Sequence, residues 1–299
     1  MSELIKRVIV AIIAIPIAIA IIYAGSWLMF ALVAVLSLLG QWEFYKIAEK
    51  KHTFPLKYFG YFFGIIFLLI FQVMDFLPAM YISMLFIISI FLIVMIFELW
   101  NNKPNAGLNI ATTITGIIYI PMSFLFIILI RNFYNIINTI RNSSIDFIQI
   151  SDSNLLMNSY EGAGLLLSIL ISIWICDSGA YFVGKAIGRH KLFERISPKK
   201  TWEGAIGGLV FGILGFWGAT EILLNNFPLI HVIVIGMIVG TIGQIGDLAE
   251  SQLKRDAGVK DSSAIIPGHG GVLDRFDSIL FVMPFVFIYL FFSSIIIIF

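Results

Sequence analysis

Apolar runs of roughly 20 residues recur along almost the whole chain, and few folds can accommodate that pattern. About 20 helical residues cross the ~30 Å hydrocarbon layer of a bilayer. A backbone in lipid must also satisfy its own polar groups, which a helix does. Runs of this length lie at about 8–24, 27–45, 58–74, 79–99, 107–130, 162–187, 203–224, 231–253 and 278–298. The expected fold is an all-α integral membrane protein with about nine transmembrane helices. Composition agrees, since 60% of the 299 residues are apolar and 12% charged, against about 25% charged in soluble domains. Lys6-Arg7 before Val8–Ala24 imitates a signal peptide, but a 17-residue run exceeds the usual apolar region of about 7–15 residues. This first helix is expected to be retained. Pro121 is expected to kink the fifth helix.

The cations orient the chain. With the N-terminus in the cytoplasm, only Arg131 and Arg141 of the 19 lysines and arginines fall on the outer side. That is the positive-inside bias of a multi-pass protein of the cytoplasmic (inner) membrane. Three regions follow: a transmembrane scaffold over 1–130, an external loop over 131–161, and a catalytic region over 162–299. The N-terminal helices show few intramembrane charges and read as scaffold, lipid contact or oligomer interface. Cys176 stands alone, which excludes an intrachain disulfide. No basic patch alternates with exposed aromatics, so nucleic acid is not an expected partner.

Chemistry concentrates at 246–278, where six carboxylates and four cations interrupt the apolar background. Charge beside hydrocarbon is costly and is usually retained for function. Three cytoplasmic pieces, at the ends of the sixth to ninth helices, are expected to form one polar pocket. On the sixth helix, Asp177, Tyr181 and Lys185 recur every four residues and form a stripe. Ser197-Pro198 reads as an N-cap and first helical residue, placing Lys199 and Lys200 in a first turn where the dipole already favours anions. A phosphate site there competes with simple anchoring to headgroups. In the third piece Asp247, Glu250, Ser251 and Lys254 share a helical side. Asp274 resembles an N-cap with Asp277 at the capping-box position. Two ionised acids three apart also suit a hard cation such as magnesium, which takes one or two carboxylates and leaves the rest to water and phosphate. Gly268, Gly270 and Gly271 allow backbone N–H groups to face an anion, and His269 between them reads as a phosphate or nucleotide contact.

Ser251-Gln252-Leu253-Lys254-Arg255, Lys260-Asp261, Pro267-Gly268-His269-Gly270-Gly271 and Leu273-Asp274-Arg275-Phe276-Asp277 closely resemble the signature of phosphatidate cytidylyltransferases (CDP-diacylglycerol synthases). Asp177–Phe182 and Ser197–Gly204, which includes Glu203, look like the upstream motifs of the same family. The resemblance is specific from about 174 to 278. It implies a membrane enzyme, often homodimeric, making CDP-diacylglycerol and pyrophosphate from CTP and phosphatidate. It also implies a magnesium centre on Asp247 and Asp274, with room for a monovalent cation such as K+. Catalytic roles fall to Asp247, Lys254, Asp274 and Asp277. Phosphate contacts fall to Lys199, Lys200, Ser251, Arg255, Gly268, His269, Gly270, Gly271 and Arg275, with Asp177, Tyr181, Glu203 and Glu250 in support.

The implied chemistry is consistent with these residue types. A lipid phosphate, with a second pKa near ~6 like other phosphomonoesters, is already anionic and needs no strong base. It needs charge neutralisation, which lysines, arginines and a divalent ion supply. A CTP-dependent lipid kinase would use similar parts but would benefit from a carboxylate base for a neutral hydroxyl. A cation-coupled transporter is the alternative from another class. It is disfavoured by the lack of a clear internal repeat and by polar groups gathered on one face rather than at the midplane.

Overall fold

The computed structural model describes residues 3–142, 148–149, 161–224, 226–266, 270–294 and 296–297. They form two compact units, one comprising 1–128 with 253–275 and the other 129–252 with 276–299. The division follows contact rather than sequence: the stretch Leu253–Arg275 belongs with the N-terminal helices.

The first unit contains α1 (Glu3–Ala24), α2 (Ser26–Glu49), α3 (Lys57–Val73), α4 (Phe76–Glu98) and α5 (Ala106–Ile117). A five-residue π-helical turn, Ile118–Met122, follows α5 and contains Pro121. A proline lacks the N–H needed to continue an α-helix and crowds the preceding turn. The disturbance expected at Pro121 therefore takes the form of a wider turn, and α6 (Ser123–Arg131) continues beyond it. Phe63, Ile90, Val94 and Ile117 make a buried cluster for α3, α4 and α5. Polar bonds fasten α2 to α3 and α5: Gln41 donates to the carbonyls of Gly60 and Gly116, and the Tyr45 hydroxyl to that of Thr113. Lipid offers little hydrophobic drive for helix association, so close packing and such bonds carry it.

The second unit contains α7 (Phe133–Asn142), a short antiparallel pair β1 (Ile148–Gln149) and, at the far end of the chain, Ile296–Ile297, then α8 (Glu161–Ile187). The helix α7 buries Phe133, Ile136, Ile137 and Ile140, so part of the polar connection after the fifth span is an amphipathic helix. A hairpin of β2 (Lys191–Phe193) and β3 (Ser197–Thr201) leads into α9 (Trp202–Leu223). Next come α10 (Leu229–Ile238), a π-helical turn at Val239–Gly243, α11 (Gln244–Asp256) and α12 (Leu273–Ser294). Glycines lie where helix backbones meet in this unit. A side chain at Gly212 would touch the backbone of Gly240, and one at Gly240 the backbone of Leu209.

Two expected helix starts are corrected. Ser197-Pro198 does not open a helix: those residues pair in the hairpin, with Phe193 opposite Ser197 and Lys191 opposite Thr201. The helix begins at Trp202, where the Thr201 hydroxyl caps the N–H of Gly204 at 3.2 Å. Lys199 and Lys200 therefore lie on a strand before the helix. Likewise α12 begins at Leu273, so Asp274 is inside its first turn and not at the cap. The reason is given below: an acid from another helix satisfies the N–H groups at its start.

Among the described residues, seven helices are long and apolar enough to cross a membrane, with Ile12–Ala24 and Lys57–Val73 as shorter apolar helices. The chain is an all-α membrane protein.

Candidate active site

In the second unit the predicted residues converge on Asp247, in the first turn of α11. Its Oδ2 lies 2.7 Å from the Lys200 ammonium, and its Oδ1 accepts a long 3.3 Å bond from the Ser251 hydroxyl. Asp177 on α8 and Asp277 on α12 are close enough for their charges to act on this group. Asp177, ten residues before the end of α8 at Ile187, is exposed at the surface of the unit. The Lys200–Asp247 side chains keep 27% and 33% of their surface, so the pair is accessible to a ligand. Glu250 is buried on the same helix.

Several predicted residues of this unit are engaged elsewhere. Glu203 accepts from the backbone N–H groups of Arg189 and His190 and lies 2.6 Å from the His190 ring nitrogen. It therefore locks the start of the hairpin. Tyr181 lies under the Lys185 ammonium, 5.7 Å from the ring centroid, as the four-residue stripe predicts. Lys199 is exposed on its strand.

In the first unit the predicted residues converge on Asp274. Its Oδ1 lies 2.6 Å from the Lys254 ammonium. Its Oδ2 accepts from Ser262 N, Ser262 Oγ and Gly271 N, each at 2.9 Å. Only 8% and 9% of the two side chains' surface remains. Gly270, at φ +83°, closes a small bridge in which Ile266 N donates to its carbonyl at 2.9 Å. A side chain at Gly271 would land on Ser262 Oγ and the Glu43 carboxyl, so no larger residue fits. Arg255 bonds the carbonyl of Val259, and Arg275 is exposed. Gly268 and His269 lie outside the described residues.

Glu43 is the functional-looking residue that the sequence reading missed. It stands in α2, in a region read as scaffold, and is fully buried. It accepts from Ser262 and Ser263 and from the backbone of Val272 and Leu273. The available signal was a single acid within an apolar span, Trp42-Glu43-Phe44, since charges there are seldom idle.

The sequence model of the cytidylyltransferase family matches residues 5–293. The chain belongs to that family. It is 50% identical over 117 residues to a Bacillus subtilis protein named phosphatidate cytidylyltransferase, covering 39% of this chain and 44% of the relative. A Haemophilus influenzae protein of the same name is 45% identical over 137 residues, 44% of this chain and 48% of the relative. A Staphylococcus saprophyticus one is 43% identical over 141 residues, 47% and 54%. The chain thus spans about half the length of the curated relatives it matches.

Chemically, the two clusters place carboxylates and ammonium groups in alternation. Among the described residues no three His, Cys, Asp or Glu side chains gather as a ready-made metal cage. A magnesium ion does not require one, because one or two carboxylates with water and phosphate oxygens complete its shell.

Proposed function

We propose that this cytidylyltransferase transfers CMP from CTP to phosphatidate, releasing pyrophosphate and leaving CDP-diacylglycerol in the membrane. The observation that carries this reading is the accessible Lys200–Asp247 pair with Asp177 and Asp277 beside it. It combines a cation for phosphate with hard oxygen donors for a divalent ion. The names of the relatives point to the same reaction.

A phosphatidate oxygen forms a bond to the α-phosphorus of CTP. The bond from that phosphorus to the bridging oxygen breaks, and both electrons leave with pyrophosphate. No proton has to be removed from the nucleophile, so the chain's task is to hold two polyanions together. Lys200 is placed to pass from Asp247 to a phosphate oxygen, and exposed Lys199 adds charge on the same strand. Magnesium, when bound, neutralises phosphate charge and stabilises the leaving group. Asp247 fits it, with one oxygen on an exchangeable ammonium and the other in a long bond. Asp274 would accept it only by releasing Lys254, because its other oxygen is already filled by three donors.

The same reading places nine spans in the cytoplasmic membrane, counting the two shorter apolar helices, with the N-terminus and the polar pocket on the cytoplasmic side. The active form is a homodimer. The test uses purified protein with CTP labelled at either end. Label at the α-phosphate should enter lipid, label at the γ-phosphate should leave as pyrophosphate, and turnover should require phosphatidate rather than diacylglycerol. Transfer of γ-label to a lipid alcohol would replace this reading with a kinase.

A further inference from the structure

Glu43 has 0% of its surface exposed, in the last third of a helix that is otherwise suited to lipid. Each of its carboxyl oxygens accepts two hydrogen bonds. Oε1 receives Ser263 Oγ at 2.6 Å and Val272 N at 2.8 Å; Oε2 receives Ser262 Oγ at 3.0 Å and Leu273 N at 2.7 Å. Two of these partners are backbone N–H groups, one on each oxygen, which can only donate, and two are serine hydroxyls, which can donate or accept; that set suits a carboxylate. Two of the donors are N–H groups at the start of α12, which a helix cannot satisfy internally. Glu43 caps that helix from α2, which leaves Asp274 free of the capping role.

The consequence reaches Asp274. Its Oδ2 is held by Ser262 N, Ser262 Oγ and Gly271 N. Ser262 is tied to Glu43 through its hydroxyl, and Gly271 directly precedes the Val272 N–H that Glu43 accepts. The Ser262 hydroxyl stands 3.0 Å from one acid and 2.9 Å from the other, with one proton for both. Every group that grips Asp274 Oδ2 is thus carried by backbone that Glu43 fastens.

We propose that Glu43 is the positioning residue for Asp274, holding Ser262, Ser263 and residues 271–273 so that Asp274 turns its Oδ1 toward a cation, Lys254 in this structure. The kinetic arm of the test rests on cytidylyl transfer; the exchange arm does not. Glutamine would place an NH2 against a backbone N–H that cannot turn round, whereas a serine hydroxyl can. The amide therefore opposes donor to donor where the acid accepted a bond.

The experiment compares full-length Glu43→Gln with Glu98→Gln. Glu98 is another buried acid of the first unit, bonded to Asn101 and Asn109 and to nothing in 262–273. Glu43→Gln should lower kcat by ~10–100-fold, the scale of misplacing one charge-stabilising group, while KM for CTP moves by less than ~3-fold. Hydrogen exchange over 262–273, read by mass spectrometry, should rise. Glu98→Gln should lower the melting temperature yet keep kcat within ~2-fold and leave that exchange unchanged. If Glu43→Gln does not accumulate, Ser263→Ala removes the hydroxyl that donates to Glu43 and accepts from Ile265 N, and should raise exchange over 270–273, away from Ile265, with a ~2–5-fold loss of kcat. Wild-type kcat in a folded Glu43→Gln overturns the proposal, as does an equal loss in Glu98→Gln. If the wild-type protein transfers no CMP, the proposed function has failed and exchange decides alone: raised exchange in Glu43→Gln supports the clamp, unchanged exchange removes it.

Discussion

Two of the lysine–aspartate pairs among the described residues are almost equal in length, 2.7 Å for Lys200–Asp247 and 2.6 Å for Lys254–Asp274. Their surroundings differ. The first retains about a third of its surface and one weak further bond; the second is nearly buried and has three further donors. Partly exposed pairs contribute about 0–1 kcal/mol, whereas removing one partner of a buried pair costs about 3–5 kcal/mol. The same two side-chain types thus make an exchangeable contact in one unit and a fixed one in the other. A ligand can replace Lys200 at Asp247 at little cost to folding, but replacing Lys254 at Asp274 disturbs an assembled network.

The largest effect should come from Asp274→Asn. It leaves the Lys254 ammonium buried beside a neutral group, so stability should fall by ~3–5 kcal/mol. Turnover should fall at least ~100-fold. Thermal unfolding in detergent with pyrophosphate release measures both, and an unchanged melting temperature would erase the distinction between the pairs. Next, Asp247→Asn should also lose ~100-fold or more in kcat, but with a stability change within ~1 kcal/mol. A folding defect as large as that of Asp274→Asn would show that the open pair is structural too. Magnesium should sharpen the contrast: titration into ligand-free protein should stabilise the wild type by a few degrees and Asp247→Asn by less. Equal stabilisation would move the metal away from Asp247. The smallest effect is expected at the strand lysines. Lys200→Gln should raise KM for CTP or phosphatidate by ~3–10-fold, about 1 kcal/mol, and Lys199→Gln by less. Lys50→Gln, an ordinary exposed charge, should do nothing measurable. Indistinguishable values for the three would leave lipid anchoring as the role of Lys199 and Lys200.

Most of the helical architecture is legible in the sequence because lipid imposes a length and a polarity on each span. The apolar runs and Pro121 are local signals, and the structure places helices and a distorted turn there. The stripe of Asp177, Tyr181 and Lys185 is equally local, as it needs only helical periodicity. What escaped depends on competing partners, nearby for Ser197-Pro198 and far away in sequence for Asp274. Ser197-Pro198 carries a good helix-start signal, but Lys191–Phe193 offers a strand to pair with and Thr201 a better cap. Asp274 looks like a cap until Glu43, 229 and 230 residues upstream of its backbone donors, takes the N–H groups it would have served. No window of the sequence contains both ends of those bonds.

That separation sets an order on biosynthesis. Chains grow from the N-terminus at ~5–20 residues per second, so the 219 residues between Glu43 and Ser262 correspond to roughly 10–45 s of synthesis. Throughout that interval α2 carries an acid whose four donors have not yet been made. A carboxyl group within a span is costly to leave without partners. Full seating of the second helix therefore waits for nearly the last helix of the chain, and a product truncated before residue 262 would retain an exposed lesion in its membrane domain. The hydrogen bonds to Glu43 distinguish a finished protein from an unfinished one.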